Sequence, residues 1–127
     1  MSKEAIRTES APGAIGPYSQ AIVSGGVLYC SGQIGLDPAS GNLVAGGFEA
    51  EAGQVLANLA AVAEAAGMTL ADTVKLTVYV VDLADFPRLN EIFAGALSEP
   101  YPARATVEVS ALPRGARVEI DMVATRG

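Results

Sequence analysis

Hydrophobic and polar positions follow two different periods along this chain, and these periods predict its strands and helices. Period-two alternation is typical of a strand covered on one face. It is clear near the C-terminus, where Val118, Ile120 and Met122 alternate with Glu119 and Asp121. We expect this strand to place its aliphatic side chains on one face of a sheet and both carboxylates on the other.

Residues 73–81 form the strongest predicted strand. Val74, Leu76, Val78 and Val80 share one face. The other face is partly apolar, which leaves open that both faces are covered.

A further strand is predicted after Pro102. Ala105, Val107 and Val109 share its apolar face, and polar residues alternate with them. Those polar residues are Arg104, Thr106 and Glu108. A turn-rich connection over residues 111–115 joins this strand to the C-terminal one.

Proline and glycine mark the N-terminal part. Residues 4–9 are compatible with a short edge strand, and the loop 11–18 is broken four times by Pro or Gly before Tyr18. Tyr18 is either a half-buried packing residue or a functional hydroxyl. Gly25-Gly26, between two apolar runs, predicts a two-residue hairpin.

The second hairpin strand ends in Ser31-Gly32-Gln33, and a surface turn follows over residues 37–42. A glycine at such a place marks either a bulge or a close approach to the backbone. The sequence leaves both interpretations open.

Period 3.6 predicts a helix over residues 48–66, with Gly67 as its C-terminal cap. Its apolar stripe consists of Val55, Leu56, Leu59, Val62, Ala63 and Ala66. Glu49, Glu51 and Glu64 lie off this stripe.

A second helix is predicted to begin after Asp85, as its N-cap, and to end near Leu97. Its buried stripe consists of Phe86, Leu89, Phe93 and Leu97. Asn90 lies beside this stripe, and a partly buried amide there needs hydrogen-bond partners. It either satisfies backbone groups or braces a site.

The predicted order is strand, hairpin, helix, strand, helix, strand, strand, within one domain spanning residues 1–127. Two helices cover only one face of such a sheet, so the other face needs a partner. Composition agrees with this, since 50% of residues are hydrophobic and only 17% are charged. We therefore expect an α+β protein with a mixed sheet, two helices on one face, and an oligomeric state.

Charge and residue inventory exclude several functions. The net charge is −6, which disfavours nucleic acid or an anionic membrane as the main partner. With no histidine, His-dependent nucleophilic catalysis and His-ligated metal sites are excluded. The single cysteine, Cys30, forms no internal disulfide and is typical of a small core residue. The charged N-terminus and the absence of a long apolar run predict a soluble, cytoplasmic protein.

Arg104 and Glu119 are the candidate chemical groups. An arginine at the start of one strand and a glutamate in a nearby strand could meet at one small site. The guanidinium would grip a carboxylate bidentately, and a glutamate with a raised pKa would move protons near neutral pH. The simpler interpretation is a cross-strand salt bridge, worth roughly 0.2–1 kcal/mol.

The chain resembles the RidA (YjgF) family along nearly its whole length. Six motifs, each weak alone, occur in the family's order. They are Gly16-Pro17-Tyr18-Ser19-Gln20-Ala21, Ser31-Gly32-Gln33-Ile34, Glu64-Ala65-Ala66-Gly67, Val80-Val81-Asp82-Leu83, Asp85-Phe86 with Asn90, and Pro102-Ala103-Arg104 with Val118-Glu119-Ile120.

This resemblance implies a chorismate-mutase-like fold and a homotrimer with clefts between subunits. It also implies hydrolysis of reactive enamines and imines, such as 2-aminoacrylate, to 2-keto acids and ammonia, without a metal or cofactor. The implied catalytic residues are Glu119, Arg104 and Tyr18. The implied substrate-binding residues are Arg104, Thr106, Ser31, Gly32 and Asn90.

One position departs from the family pattern. Many relatives carry cysteine where this chain has Thr106, so thiol-based switching should be absent or moved to Cys30. If this position contributes its backbone N–H, Thr106 should serve. Two other functions stay open: a non-catalytic trimer that binds small 2-keto acids, and a ribonuclease or translation inhibitor, which the acidic charge disfavours.

Overall fold

Eight helices and strands follow one another in the predicted order in the computed structural model, which describes residues 2–126. They are β1 (Glu4–Ile6), β2 (Ala21–Ser24), β3 (Val27–Gln33), α1 (Gly47–Ala65), β4 (Thr73–Val80), α2 (Phe86–Ala96), β5 (Ala103–Glu108) and β6 (Val118–Thr125). The α+β class is therefore confirmed, although β1 is shorter than expected.

The six strands form one mixed sheet in the order β1-β2-β3-β6-β4-β5. Only β4 and β5 are parallel, because α2 carries the chain back between them; the other pairs are antiparallel. The C-terminal strand β6 thus lies in the middle of the sheet, and β5 forms one edge.

Both helices pack on the same face of the sheet, as predicted, and the core lies between the two layers. Leu59 of α1 and Leu89 of α2 are fully buried there against Leu28, Leu76 and Ile120 of the strands. The opposite face is open: Tyr29 is 51% exposed and Val107 is 44% exposed. Neither helix in the described part of the chain is long and apolar enough to cross a membrane.

Glycine makes two of the predicted turns possible. At the end of α1, Gly67 has a φ of 75°, which lets its N–H donate to Glu64 O and lets Met68 N–H donate to Ala63 O, both at 2.9 Å. In the hairpin, Gly25 and Gly26 have φ values of 59° and 77°, as a two-residue loop between twisted strands requires. Both predictions are confirmed.

Two predictions about helix α1 and helix α2 are wrong in detail. Glu51 is 3% exposed rather than facing solvent; its Oε1 accepts the Arg117 N–H at 2.8 Å. Asp85 occupies the N-cap position of α2, but its side chain makes no capping bond. Asp82 caps the preceding single turn instead, accepting from Ala84 N–H at 2.9 Å.

The predicted faces of strand β4 also need correction, and the structure orients those of β5. A register shift in β4 lies between Thr73 and Lys75, so Thr73 is buried and Val74 is exposed. In β5 the apolar and polar residues alternate as predicted, and the structure shows which face is inward. Arg104 pairs with Leu76 and Thr106 with Val78, which places the polar residues toward the helices and Val107 on the open face.

Asn58 is a buried polar residue that holds the chain after β3. Its amide is fully buried, donates to Leu36 O at 3.0 Å and Ile34 O at 3.4 Å, and accepts from Gln54 Nε2 at 2.9 Å. It therefore satisfies the Leu36 carbonyl and gives the Ile34 carbonyl a second donor beside the Leu36 N–H at 2.8 Å.

Replacing Asn58 by alanine should lower the free energy of unfolding by roughly 2–4 kcal/mol, because it leaves a cavity and removes the donor to the Leu36 carbonyl. Chemical denaturation followed by circular dichroism measures this. Gln54→Ala, which removes only the amide that donates to Asn58, is the matched control and should cost about 1 kcal/mol or less. Equal losses in the two variants would contradict the anchoring role of Asn58.

Candidate functional site

Arg104 lies at the start of edge strand β5, beneath helix α2. Its Nη1 donates to Asn90 Oδ1 at 2.8 Å. Its Cζ lies 5.1 Å from the centroid of the Phe86 ring and 5.6 Å from that of Phe93, within the range of cation–π attraction. The amide and the two rings hold the guanidinium in place without neutralising it, and it forms no ion pair with any residue from 2 to 126.

A cavity of about 400 Å³ opens beside this guanidinium. We call it the arginine pocket; it is lined by Leu76, Asn90, Phe93, Ala94, Leu97, Tyr101, Pro102 and Arg104. Its wall is largely apolar apart from the guanidinium and the amide. Such a pocket suits a small anion that carries a short aliphatic group.

Thr106 lies two residues further along β5, on the same face as Arg104. Its Oγ1 is buried and has no hydrogen-bond partner among the described residues. The backbone N–H groups of β5 point alternately to β4 and to the free edge of the sheet. Val109 N–H points to β4, because it donates to Val80 O at 2.8 Å. The N–H groups of Arg104 and Thr106 therefore point to the free edge of the sheet, where a ligand can accept them.

Glu119 lies on the open face of the sheet, on central strand β6, because it pairs with Tyr79 of β4. A Cβ on Gly32 would lie 2.3 Å from the Glu119 Oε2 atom, so any side chain there would displace this carboxylate from its position. Both interpretations of the Ser31-Gly32-Gln33 segment are therefore correct, since β3 also shifts register between Cys30 and Gln33.

The pKa of Glu119 is raised, first by desolvation of its half-buried carboxyl and second by the negative charge of Asp121. Asp121 in turn accepts a hydrogen bond from the Tyr79 hydroxyl at 3.1 Å, and this bond raises the pKa of Tyr79. A carboxyl with a raised pKa exchanges protons closer to neutral pH.

The loop over residues 8–19 reaches this carboxylate because Gln20 holds it. The buried Gln20 amide accepts from Thr8 N–H at 2.8 Å and donates to Pro12 O at 2.8 Å. The Ser31 hydroxyl donates to Ser19 O at 2.6 Å. Ser31 therefore anchors the loop, and Tyr18 at its end is 52% exposed.

A second cavity, of about 420 Å³, lies over Glu119. We call it the glutamate pocket; Tyr18, Gly32, Pro113, Arg114 and Glu119 contribute to its lining, together with apolar residues of the loop such as Ile15 and Leu36. Arg114 was not among the predicted site residues. Its signal in the sequence is weak, since an arginine between proline and glycine is typical of any surface turn.

The predicted site residues therefore form two groups in one chain. Arg104 and Asn90 line the arginine pocket, and Thr106 follows two residues after Arg104 on the same strand. Tyr18, Gly32 and Glu119 line the glutamate pocket, and Ser31 anchors the loop beside it. Arg104 pairs with Leu76 and Glu119 with Tyr79. Since successive residues of β4 point to opposite faces, the two charged groups lie on opposite faces of the sheet. Within one chain they neither converge nor form the cross-strand salt bridge.

Thiolate and metal chemistry find little support in the described residues. Cys30 is buried, and desolvation followed by the charge of Asp121 raises its pKa to about 12, so the expected alternative of a thiol switch at Cys30 is disfavoured. Residues 2–126 contain no group of three or more His, Cys, Asp or Glu side chains that could hold a metal ion.

The sequence matches a known protein family over almost its entire length. The model of that family, described as Endoribonuclease L-PSP, matches residues 8–126. The chain belongs to this family, the RidA/YjgF family. The resemblance found in the motifs is thereby confirmed.

The family model is described as an endoribonuclease, whereas similar proteins are named as a deaminase or as RidA. A human protein named 2-iminobutanoate/2-iminopropanoate deaminase is 48% identical over 127 residues, covering 100% of this chain and 93% of its own. The RidA crystal structure from an Antarctic Psychrobacter species has a TM-score of 0.94 at 50% identity and covers 97% and 99% of the two chains.

A third member of the RidA family was solved with an amino acid. The crystal structure of Escherichia coli TdcF with bound serine has a TM-score of 0.90 at 37% identity, covering 98% of this chain and 99% of that one. These likenesses show the fold and the family of this chain.

Replacing Thr106 by valine should raise the free energy of unfolding by roughly 1–2 kcal/mol, because it exchanges a buried, unpartnered hydroxyl for a methyl group of the same shape. Thermal unfolding measures this. Thr77→Val, on the opposite face of neighbouring strand β4, is the matched control, and we expect a smaller change there. A loss of stability in Thr106→Val would show that the hydroxyl has a partner.

Replacing Glu119 by glutamine should stabilise the protein at neutral pH. The folded-state pKa of Glu119 is raised above its ordinary value, so its stability contribution is fully present below the unfolded pKa and is lost as pH rises through the folded pKa. The advantage of the glutamine variant should therefore shrink as pH falls toward 4.5, the ordinary value.

The measurement is the Tm difference between wild type and Glu119→Gln at several pH values. Glu64→Gln removes an equal charge from the exposed face of α1 and controls for net charge. A Glu119→Gln advantage that grows toward acid pH would contradict the desolvation of this carboxyl.

Proposed function

We propose that the protein is an imine deaminase that hydrolyses 2-imino acids such as 2-iminobutanoate and 2-iminopropanoate, including the enamine tautomer 2-aminoacrylate, to 2-keto acids and ammonia. The observation that carries this proposal is the guanidinium of Arg104, which is held by Asn90 and two aromatic rings and forms no ion pair among residues 2–126. The human relative's name supports the same reaction.

Substrate binding follows from the donors at the edge of β5. Arg104 offers a planar fork to the substrate carboxylate, and the Thr106 N–H offers one further bond. The apolar wall beside Phe93 and Leu97 takes the short side chain. Fixing the carboxylate also orients the adjacent electrophilic carbon, C2, which is where proximity contributes most to the rate. The serine bound to TdcF carries the same carboxylate group.

Glu119 supplies the proton transfers. As a water molecule attacks C2 of the protonated imine, the Glu119 carboxylate takes a proton from the water, and a carbinolamine forms. Glu119 then gives this proton to the nitrogen, and the C–N bond breaks so that ammonia leaves. The Glu119 carboxylate takes the hydroxyl proton as the C=O bond forms, and the released ammonia carries that proton away as ammonium. Such transfers contribute on the order of 10²–10⁴-fold. Each step uses side chains and water alone, so the proposal includes independence from metals and cofactors.

The two pockets lie on opposite faces of one sheet, so one ligand cannot contact Arg104 and Glu119 of the same chain. We therefore propose a homotrimer in which the arginine pocket of one copy faces the glutamate pocket of the next. The open face of the sheet, with Tyr29 and Val107 exposed, and the unpaired edge of β5 offer the surface for this contact.

The decisive experiment generates 2-iminopropanoate with an amino-acid oxidase and follows its decay by semicarbazide trapping. Wild type should accelerate the decay, whereas Arg104→Ala should lose at least about 100-fold in kcat/KM, because the substrate carboxylate loses its bidentate partner. Arg88→Ala is the matched control: Arg88 is an exposed arginine on α2 that pairs with Glu49 at 2.6 Å, and its removal should leave the rate unchanged.

The alternative function, binding of 2-keto acids without catalysis, is separated by Glu119→Gln. We expect this variant to bind 2-ketobutyrate in calorimetry and to hydrolyse imine about 100-fold or more slowly. Wild type that binds the keto acid but never accelerates imine decay would replace the deaminase by the binding protein. Loss of assembly in Arg104→Ala, detected by light scattering, would contradict its assigned role in binding.

A further inference from the structure

Arg114 adopts an unusual backbone conformation next to the glutamate pocket. Its φ is 62° and its ψ is 16°, and it is the one non-glycine residue with positive φ in the described part of the chain. Gly115 follows with a φ of 71°. Two successive left-handed residues form a tight turn in which Asn, Asp or Gly is usual and a long side chain is strained.

The surrounding structure holds this strained turn in place. Gly115 N–H donates to Leu112 O at 3.3 Å, and Ala116 N–H donates to Pro113 O at 3.1 Å. The next residue, Arg117, is fixed by the buried Glu51, which accepts its backbone N–H at 2.8 Å and lies 3.7 Å from its Nε. A conformation that costs energy yet is over-determined by its neighbours is typical of functional positions.

The turn carries Arg114 to the lining of the glutamate pocket. Arg114 and Glu119 are the two charged residues that line this pocket. Arg114 forms no ion pair within residues 2–126, so its charge is not committed to the fold. Glu119 lines the same pocket, and the whole chain carries a net charge of −6.

We infer that Arg114 is a specificity-determining residue that attracts carboxylate-bearing substrates into the pocket over Glu119. This inference rests on the proposed function and adds a second cation to it. An ionised Glu119 repels an anionic substrate. A cation on the pocket wall offsets that repulsion while the substrate binds to Arg104 of the neighbouring copy. Arg114 takes part in no bond-making step, so its effect falls on binding.

The test compares kcat and KM for 2-iminopropanoate in Arg114→Gln, Arg114→Lys and Arg114→Gly. At low ionic strength, Arg114→Gln should raise KM by roughly two- to fivefold, the effect of one exposed charge pair, with kcat unchanged within twofold. At about 0.5 M salt the difference should disappear, because the Debye length is then only a few ångströms. Arg114→Lys keeps the charge and should keep the low KM.

Arg114→Gly separates charge from turn geometry. It removes the side chain where glycine fits the left-handed backbone, so its Tm should not fall, while its KM should rise as in Arg114→Gln. Equal KM values for wild type and Arg114→Gln at low salt would overturn the inference. So would an increase that persists at high salt, a loss confined to kcat, or an Arg114→Lys variant as impaired as Arg114→Gln.

Failure of the proposed function gives a different result. If wild type accelerates the decay of no imino acid, the deaminase proposal fails, and the inference is then decided by calorimetry with 2-ketobutyrate. Weaker binding in Arg114→Gln at low salt, restored to parity with wild type at high salt, would support anion attraction by Arg114. Unchanged binding, or no binding by any variant, would overturn it.

Discussion

Strand β4 pairs with β5 on one side and β6 on the other, and the register of these two pairings determines what each functional side chain can reach. Leu76 and Tyr79 are three residues apart in β4, so they point to opposite faces, and their partners Arg104 and Glu119 follow them. A slip of one residue would reverse either assignment. In β6 the buried side chains of Val118 and Ile120 oppose such a slip, because it would expose them and bury Glu119 in their place. In β5 the hydrogen bond from Arg104 to Asn90 holds the guanidinium on the helix side. Core packing and this bond thus keep guanidinium and carboxylate apart within one chain.

Several residues around the two pockets are poor choices for stability alone. Glu119 is desolvated beside a second carboxylate, the Thr106 hydroxyl is buried without a partner, and Arg114 is left-handed. Each feature destabilises the fold locally, while Glu51, Asn58 and Gln20 hold the adjacent segments with buried hydrogen bonds. This distribution is expected where chemical groups must remain reactive on a rigid scaffold.

The sequence predicted the elements well because each depends on local signals. Gly25-Gly26 and Gly67 act through their own backbone conformations, and the apolar stripe of α1 repeats over several turns. Prediction from the sequence failed where a residue far away in the chain determines burial or orientation. Glu51 is buried because Arg117, 66 residues away, donates to it. The inward face of β5 was not predicted, because apolar alternation alone does not reveal that the strand lies at an edge, with its apolar side on the open face. The sequence left open whether Asn90 satisfies backbone groups or braces a site, since only the fold brings the Arg104 Nη1 atom to 2.8 Å from its Oδ1.

The separation of the two pockets also constrains how copies could combine. A contact that joins the arginine pocket of one copy to the glutamate pocket of another uses two different patches, an edge beneath α2 and the open face near β3 and β6. Contacts between different patches are heterologous, and they build closed rings when the rotation between copies returns to its start. In a closed ring every copy uses both patches. Each interface therefore contains Arg104 from one copy and Glu119 from the next. An open face that exposes Val107 and Tyr29 would then be covered by the same contact that completes the site, linking burial of apolar surface to assembly of the chemistry.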